Sequence, residues 1–226
     1  MTTELSISGV LPASLHASAV ERLSSFSQTG EAFALDEEVF GRVGSDGAGP
    51  TTADTLGAAA GQFVKVKALR LRSESGGKAR WSIQVNQRPE APRTAPRAMQ
   101  YGVTEFTVEE GSDPRVFVHA LGFSHSIFQL HQRGVRFSRG AVLVEVFQLF
   151  ETPTSAGPLD SSSYAVTAST RFSAPSTSTS SAAPGTPQPQ APGAAVSAQE
   201  ARDAALASVE QVAELLKGLV DLARVD

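Results

Sequence analysis

Cysteine is absent from the 226 residues of this chain, so neither a disulfide framework nor a thiolate metal site can be built from it. No stretch approaches the roughly 20 consecutive apolar residues that a membrane-crossing helix needs. The opening "MTTELSISGV" has no basic flank ahead of an apolar core. A soluble intracellular protein is the expectation. Catalytic signatures are equally scarce: no glycine-rich loop ends in Lys-Ser/Thr, "GFSHS" is not a strand-turn-helix nucleophile elbow, and no two glutamates are separated by one residue.

What is present is a hydrophobic content of 41%, enough for one good core. The net charge of -4 argues against bulk attraction to polyanions, although it is unevenly spread. Between Lys65 and Arg97 stand nine basic residues and two acids, Glu74 and Glu90, so that region could present a basic face.

"ELSISGV" alternates Leu5 and Ile7 with Ser6 and Ser8, the period of a half-buried strand. Leu15, Ala19, Leu23 and Phe26 recur at helical spacing, and "EAFALDEEVFGRV" is expected to be extended or in part helical. Residues 44–61 have loop composition. "QFVKVKALRLRSES" and "ARWSIQVNQ" read as a hairpin, and "AMQYGVTEFTVEE" as a further strand. In "GSDPRVFVHALGF", Ser112 or Asp113 can cap a short helix that Pro114 opens and Gly122 ends. "FSHSIFQLHQRG" and "SSYAVTASTRFS" add strands. The segment 174–196, "APSTSTSSAAPGTPQPQAPGAAV", is uncharged and dominated by Ser, Thr, Pro, Gly and Ala, the composition of a disordered linker. After it, Ser197 and Glu200 form a capping box, and Leu206, Val209, Val212, Ala213, Leu216, Leu219 and Val220 line one stripe of a terminal helix.

The most ordered stretch is "GVRFSRGAVLVEVFQLFE", residues 134–151. Its arms Gly134 to Ser138 and Ala141 to Phe150 suggest a hairpin around "SRG". Val142, Val144, Val146 and Phe150 point one way, and Leu143, Phe147 and Leu149 the other. Both faces are apolar, so the strand must be covered twice, by a barrel or sandwich interior and by a helix or partner. Glu145, alone between valines, is expected to meet Arg136 or Arg139 across the hairpin. The elements together predict an α+β fold: an antiparallel multistranded β-barrel with flanking helices, one of them the C-terminal amphipathic helix.

This order of parts resembles the family of Mediator subunit 18. The likeness rests on "ELSISGVLP" leading into a helix, "ARWSIQVNQRPE", a helix closing in "HALGF", and "HQRGVRFSRGAVLVEVFQLFE". It covers about residues 1–173 and 197–226. The resemblance implies a non-enzymatic structural subunit of the Mediator head module, a nuclear coactivator of RNA polymerase II transcription that meets the polymerase machinery indirectly. It also implies pairing with Mediator subunit 20 and binding of a C-terminal helix of Mediator subunit 8, with no cofactor. Residues 1–173 would form the barrel core, 174–196 a linker, and 197–226 a helix completing the domain or docking on a partner. Phe147, Leu149, Leu206, Val209, Val212, Leu216 and Leu219 are the candidate partner-facing residues.

The same barrel architecture is shared with tunnel enzymes that hydrolyse triphosphates, so a metal-dependent phosphohydrolase is one alternative. It would need paired carboxylates on one strand to hold a divalent metal. Asp36 and Glu38 are the sole acid-x-acid instance, and a solvated face is the simpler reading. Lys65 and Lys67 fall out of phase with Arg70 and Arg72. His119, His125 and His131 lack nearby carboxylates at ligand spacing. A nucleic-acid-binding barrel using residues 65–97 ranks second to protein binding, because Trp81 alternates with Ile83 and Val85 and is expected to point into the core.

Overall fold

A computed structural model describes residues 2–41, 63–73, 80–109, 112–123, 125–173 and 197–225. The expected loop at 44–61, the "GG" turn and the linker at 174–196 lie outside the described residues. Along the chain run β1 (Thr2–Pro12), a 3-10 turn (Ala13–Leu15), α1 (His16–Phe26), β2 (Thr29–Gly41), β3 (Phe63–Ser73), β4 (Arg80–Gln87) and β5 (Met99–Thr107). There follow α2 (Pro114–Ala120), β6 (His125–Arg139), β7 (Val142–Phe150), β8 (Ser163–Phe172) and α3 (Ala198–Leu216).

The described strands close into an antiparallel barrel in the order β1-β5-β4-β3-β2-β6-β7-β8, with β8 returning to β1. Closure leaves no long free edge. The segment that was open between strand and helix, residues 29–41, is strand throughout and pairs with β3 and β6.

One difference from the sequence reading is instructive. "FSHSIFQLHQRG" and "GVRFS" are not two strands but one, β6, which runs through Gly134 without a turn. The glycine serves close approach instead: a Cβ there would lie 2.0 Å from the Val146 carbonyl oxygen and 2.6 Å from Phe147 Cα of β7. The turn falls at Gly140, within the expected "SRG", in the left-handed region at φ 59°.

Alternation divides the barrel wall into two chemistries. Outward-facing Leu5, Ile7, Leu11, Val142, Val144, Val146, Val166 and Ala168 form the main core with Ala19 and Leu23 of α1 and Ala205, Val209, Val212 and Leu216 of α3. The apolar outer wall is thus covered by the chain's own helices. α3 begins at the expected capping box: Glu200 N donates to Ser197 Oγ (3.1 Å) and Ser197 N donates to a Glu200 carboxylate oxygen (2.7 Å). Its far end is held by Arg22 of α1, whose guanidinium donates to the carbonyls of Leu215 (3.1 Å) and Lys217 (3.2 Å), the natural place for a cation on a helix.

Beyond α3 the chain turns at Gly218 (φ 82°) and crosses β1. Ser8 and Ala223 exchange both backbone hydrogen bonds (2.8 and 3.0 Å), continuing the sheet. Gly9 admits this crossing, since a Cβ on it would sit 2.5 Å from the Asp221 carbonyl oxygen. Arg224 then donates to the carbonyls of Ala95 (2.6 Å) and Glu90 (2.8 Å) in the connection between β4 and β5.

Val144 is 1% exposed between barrel and helices. Val144→Asp buries an unpaired charge and should cost several kcal/mol, a large part of the roughly 5–15 kcal/mol that holds a domain folded. Urea denaturation followed by far-ultraviolet circular dichroism measures this; a variant as stable as the parent would contradict the core assignment.

Candidate functional site

The opposite face of the strands lines the barrel lumen, and it is polar. A cavity of about 480 Å³ is bounded by Glu4 of β1, Glu37 of β2, Tyr101 and Glu105 of β5, Arg136 of β6, Glu145 of β7 and Arg171 of β8, among others. Arg171 joins three strands: its Nε donates to Glu4 Oε2 (2.7 Å) and its Nη1 to Glu105 Oε2 (2.5 Å). The Tyr101 hydroxyl donates to Glu4 Oε1 (2.5 Å). Burial first, then the adjacent Glu4 carboxylate, pushes the Tyr101 phenol far above its ordinary value. The Arg171 guanidinium loses hydration, which favours the neutral form, but Glu4 and Glu105 outweigh that and raise its pKa.

Across the lumen, Arg136 Nε and Nη2 both donate to Glu145 Oε1, at 2.9 and 2.6 Å, and the two residues are directly paired in register. Glu145 therefore meets Arg136, while Arg139 donates to the Phe26 carbonyl and stacks on its ring. Arg136 also lies over the Phe33 ring at 4.7 Å.

Phe147 and Leu149 belong to this interior. Phe147 is 9% exposed and packs edge-on against Phe33, with Leu35 and Leu149 beside it. On α3, Val209, Val212 and Leu216 are fully buried against the barrel and Leu206 is half-buried on the same cluster, as is Leu219 just beyond the helix. The sequence alone marks all seven as candidates for a partner face. In the folded chain they serve its own core and lumen, because α3 supplies the outer cover that the apolar strand β7 requires.

The remaining polar candidates lie on the outer wall. His131 Nδ1 is 2.9 Å from Asp36 Oδ1, and Arg115 Nε donates to Glu38 Oε2 at 2.8 Å. Burial alone would raise the Glu38 pKa, but hydrogen bonds from Ser126, Arg115 and Gln129 and the Arg115 charge bring it below its ordinary value. His119 packs edge-on against Phe40. Among the described residues, no three His, Cys, Asp or Glu side chains are grouped to hold a metal ion.

Trp81 is half-buried on the outer wall, on the same face as Ile83, which joins Phe40, Val118 and Phe123 beneath α2. Of the basic region, Arg88, Arg93 and Arg97 are exposed. Arg97 is engaged by Glu210 of α3 at 3.0 Å. Lys78 lies outside the described residues. The largest apolar side chains left in water include Val116 (68% exposed), Phe117 and Leu121 at α2, with Ile127 nearby in sequence on β6.

Sequence reasoning missed the network of Glu4, Tyr101, Glu105 and Arg171. Its members sit on three strands, and the only signal was alternation: Tyr101 and Glu105 share one face of "AMQYGVTEFTVEE", as Glu4 and Ser6 share one face of β1. Tyr101→Phe removes a hydrogen bond to a carboxylate and should cost about 1–3 kcal/mol at neutral pH. In the folded state Tyr101 keeps its proton where the unfolded chain, with a tyrosine pKa of about 10, loses it. Wild-type stability should therefore fall relative to Tyr101→Phe as pH rises above about 10. Chemical denaturation of both proteins at graded alkaline pH checks this; a constant difference would contradict the buried phenol.

The model of one protein family, described as Med18 protein, matches residues 53–183. A comparison with curated proteins gives no match. Among solved structures, a chain of the Schizosaccharomyces pombe Mediator head module aligns with a TM-score of 0.65 at 16% identity, covering 99% of this chain and 98% of that one. The PH1819 protein from Pyrococcus horikoshii OT3 aligns with a TM-score of 0.58 at 9% identity, covering 99% and 94%. A putative adenylyl cyclase from Hippeastrum, described as having a dominant triphosphatase activity, reaches only 0.44 at 11% identity over 75% and 80%, too slight a likeness to bear on activity. The first two of these structures share the fold, and the family model covers more than half of the sequence: the chain belongs to the Med18 protein family.

Proposed function

We propose that this protein is a non-enzymatic structural subunit of the Mediator head module, acting in the nucleus as a protein-binding scaffold in RNA polymerase II transcription. The observation that carries this reading is the family match; the end-to-end fit to a chain of the yeast head module agrees with it. The lumen supports the same reading. Glu4, Glu105 and Glu145, which a metal-dependent tunnel enzyme would leave for cations, are each bound by an arginine. A guanidinium so held is a structural cross-link rather than a phosphate receptor. Purified protein with magnesium or manganese should accordingly release no phosphate from nucleoside or RNA 5′-triphosphates above a buffer control. Turnover that disappears in Glu4→Gln would overturn this part of the reading.

The partners we assign are Mediator subunit 20 and a C-terminal helix of Mediator subunit 8. Since the stripe of α3 and the inward residues Phe147 and Leu149 are consumed internally, contact falls to surfaces such as the exposed apolar face of α2, where Val116, Phe117 and Leu121 meet water. The barrel core of residues 1–173, the linker at 174–196 and the terminal helix would then act as one module. Co-expression with subunits 20 and 8 of the same organism should yield a soluble equimolar complex on size-exclusion chromatography. Replacing Phe117 and Leu121 by Glu should weaken that complex while leaving circular dichroism unchanged, whereas Phe147→Glu should unfold the chain. A stable monomer that ignores both proteins would refute the assignment.

A further inference from the structure

A serine or threonine directly precedes proline at two places in the sequence, Thr152-Pro153 and Thr186-Pro187. The first lies among the described residues, in the connection 151–162 between β7 and β8, and Thr152, Pro153 and Thr154 are exposed there. Proline has no N–H and biases the residue before it toward an extended backbone. Both properties suit an acceptor laid along a kinase cleft. The Thr152 hydroxyl contributes nothing to the core: its partners are the hydroxyls of Ser155 (2.9 Å) and Thr154 (3.4 Å), in a turn closed by Ser155 N donating to the Thr152 carbonyl (3.2 Å).

Arg133 of β6 lies against the same turn. Its Nη1 donates to the Ser155 carbonyl (3.0 Å), its Nη2 donates to the Pro153 carbonyl, and its Cζ stands 4.2 Å from the centre of the Phe150 ring. Arg136 and Arg171 are neutralised by glutamates in the lumen. The described contacts of Arg133 are with carbonyls and a ring, and no carboxylate is among them. A guanidinium held flat by stacking and facing only carbonyls can grip a phosphate through two parallel N–H bonds. Thr152 also lines a cavity of about 320 Å³ with Asp36, Glu37, Glu38 and Glu151, where Arg115 is engaged by Glu38 and His131 by Asp36. Those carboxylates repel a phosphate, which leaves Arg133 as its partner.

We propose that Thr152 is a phosphorylation site for a proline-directed protein kinase and that Arg133 holds the phosphate. Thr152 Oγ1 attacks the γ-phosphorus of ATP. The Oγ1–P bond forms, the bond to the bridging oxygen breaks with its electron pair leaving on ADP, and the hydroxyl proton passes to a base of the kinase. The product carries about −1.5 to −2 charges at pH 7. Arg133 then exchanges the Pro153 and Ser155 carbonyls for the phosphate, and the turn at 152–155 opens. The scaffold role neither requires this modification nor depends on it.

The full-length Thr186→Ala chain keeps Thr152 as its one hydroxyl before a proline. Incubated with a mitogen-activated protein kinase and magnesium ATP, it should gain one phosphate, located on Thr152 by mass spectrometry, and Thr152→Ala in the same background should abolish it. No phosphate on Thr152 of the folded chain overturns the site. Phosphorus-31 NMR then follows the second ionisation of the phosphothreonine, which lies at about pH 6 in an unperturbed group. In the folded chain it should lie about half a unit lower than in a phosphorylated peptide of residues 148–157, and Arg133→Gln should return it toward the peptide value. An ionisation equal to that of the peptide, or one that a folded Arg133→Gln variant leaves unchanged, overturns the role of Arg133.

Discussion

An outer barrel wall built of leucine, isoleucine, valine and alanine cannot face water, and most of the architecture follows from how this chain covers it. β1, β6, β7 and β8 turn Leu5, Ile7, Leu11, Phe137, Val144, Val146 and Val166 outward. α1 and α3 lie over that wall with matching stripes. At roughly 25 cal/mol per Å² of apolar surface buried, this layer is the dominant stabilising contribution. The ends of α3 are correspondingly well fastened, by a capping box at one end and by Arg22 at the other. Packing on the barrel and these caps hold α3 in place.

Covering the outside leaves the inside free to be polar. Ion pairs in a partly enclosed lumen gain less than their Coulomb attraction suggests, because desolvation offsets much of it. Losing one member is another matter, since the remaining charge has no partner. Arg171 illustrates this: it sits on β8 and holds β1 and β5 through Glu4 and Glu105. Those are the three strands where the sheet closes on itself, at pairings between elements distant in sequence. The interaction therefore specifies which strands meet as much as it stabilises them. Two neighbouring members of the structural comparison share this barrel at 16% and 9% identity, so the architecture tolerates very different wall and lumen sequences.

The sequence was most informative where one local rule acted without competition. Ser197 and Glu200 marked the start of α3, Asp113, Pro114 and Gly122 bounded α2, and the doubly apolar β7 called for two covers. It was least informative where a rule had two outcomes. Gly134 has the look of a strand breaker, yet it marks close approach between β6 and β7. Phe147 and Val146 are both apolar, and nothing local says which of them faces the lumen and which faces a helix. In the fold Glu145 pairs with Arg136 on the lumen side, and Leu143, Phe147 and Leu149 share that side. The Glu4, Tyr101, Glu105 and Arg171 network was invisible for a related reason: it exists only once strands far apart in sequence are adjacent.

The bridge between Ser8 and Ala223 carries a consequence for the order in which the molecule is assembled. β1 precedes all the other described elements in the chain, but its neighbours are β5, β8 and the segment after α3. Until β5 and β8 have been made, β1 lacks the strands it pairs with, and loop closure must precede most of the contacts that reward it. A nascent chain of this topology emerges with its most apolar wall exposed and can complete its core only when the last helix has left the ribosome. Completion of the core thus waits on elements made after β1, a consequence of the placement of one strand.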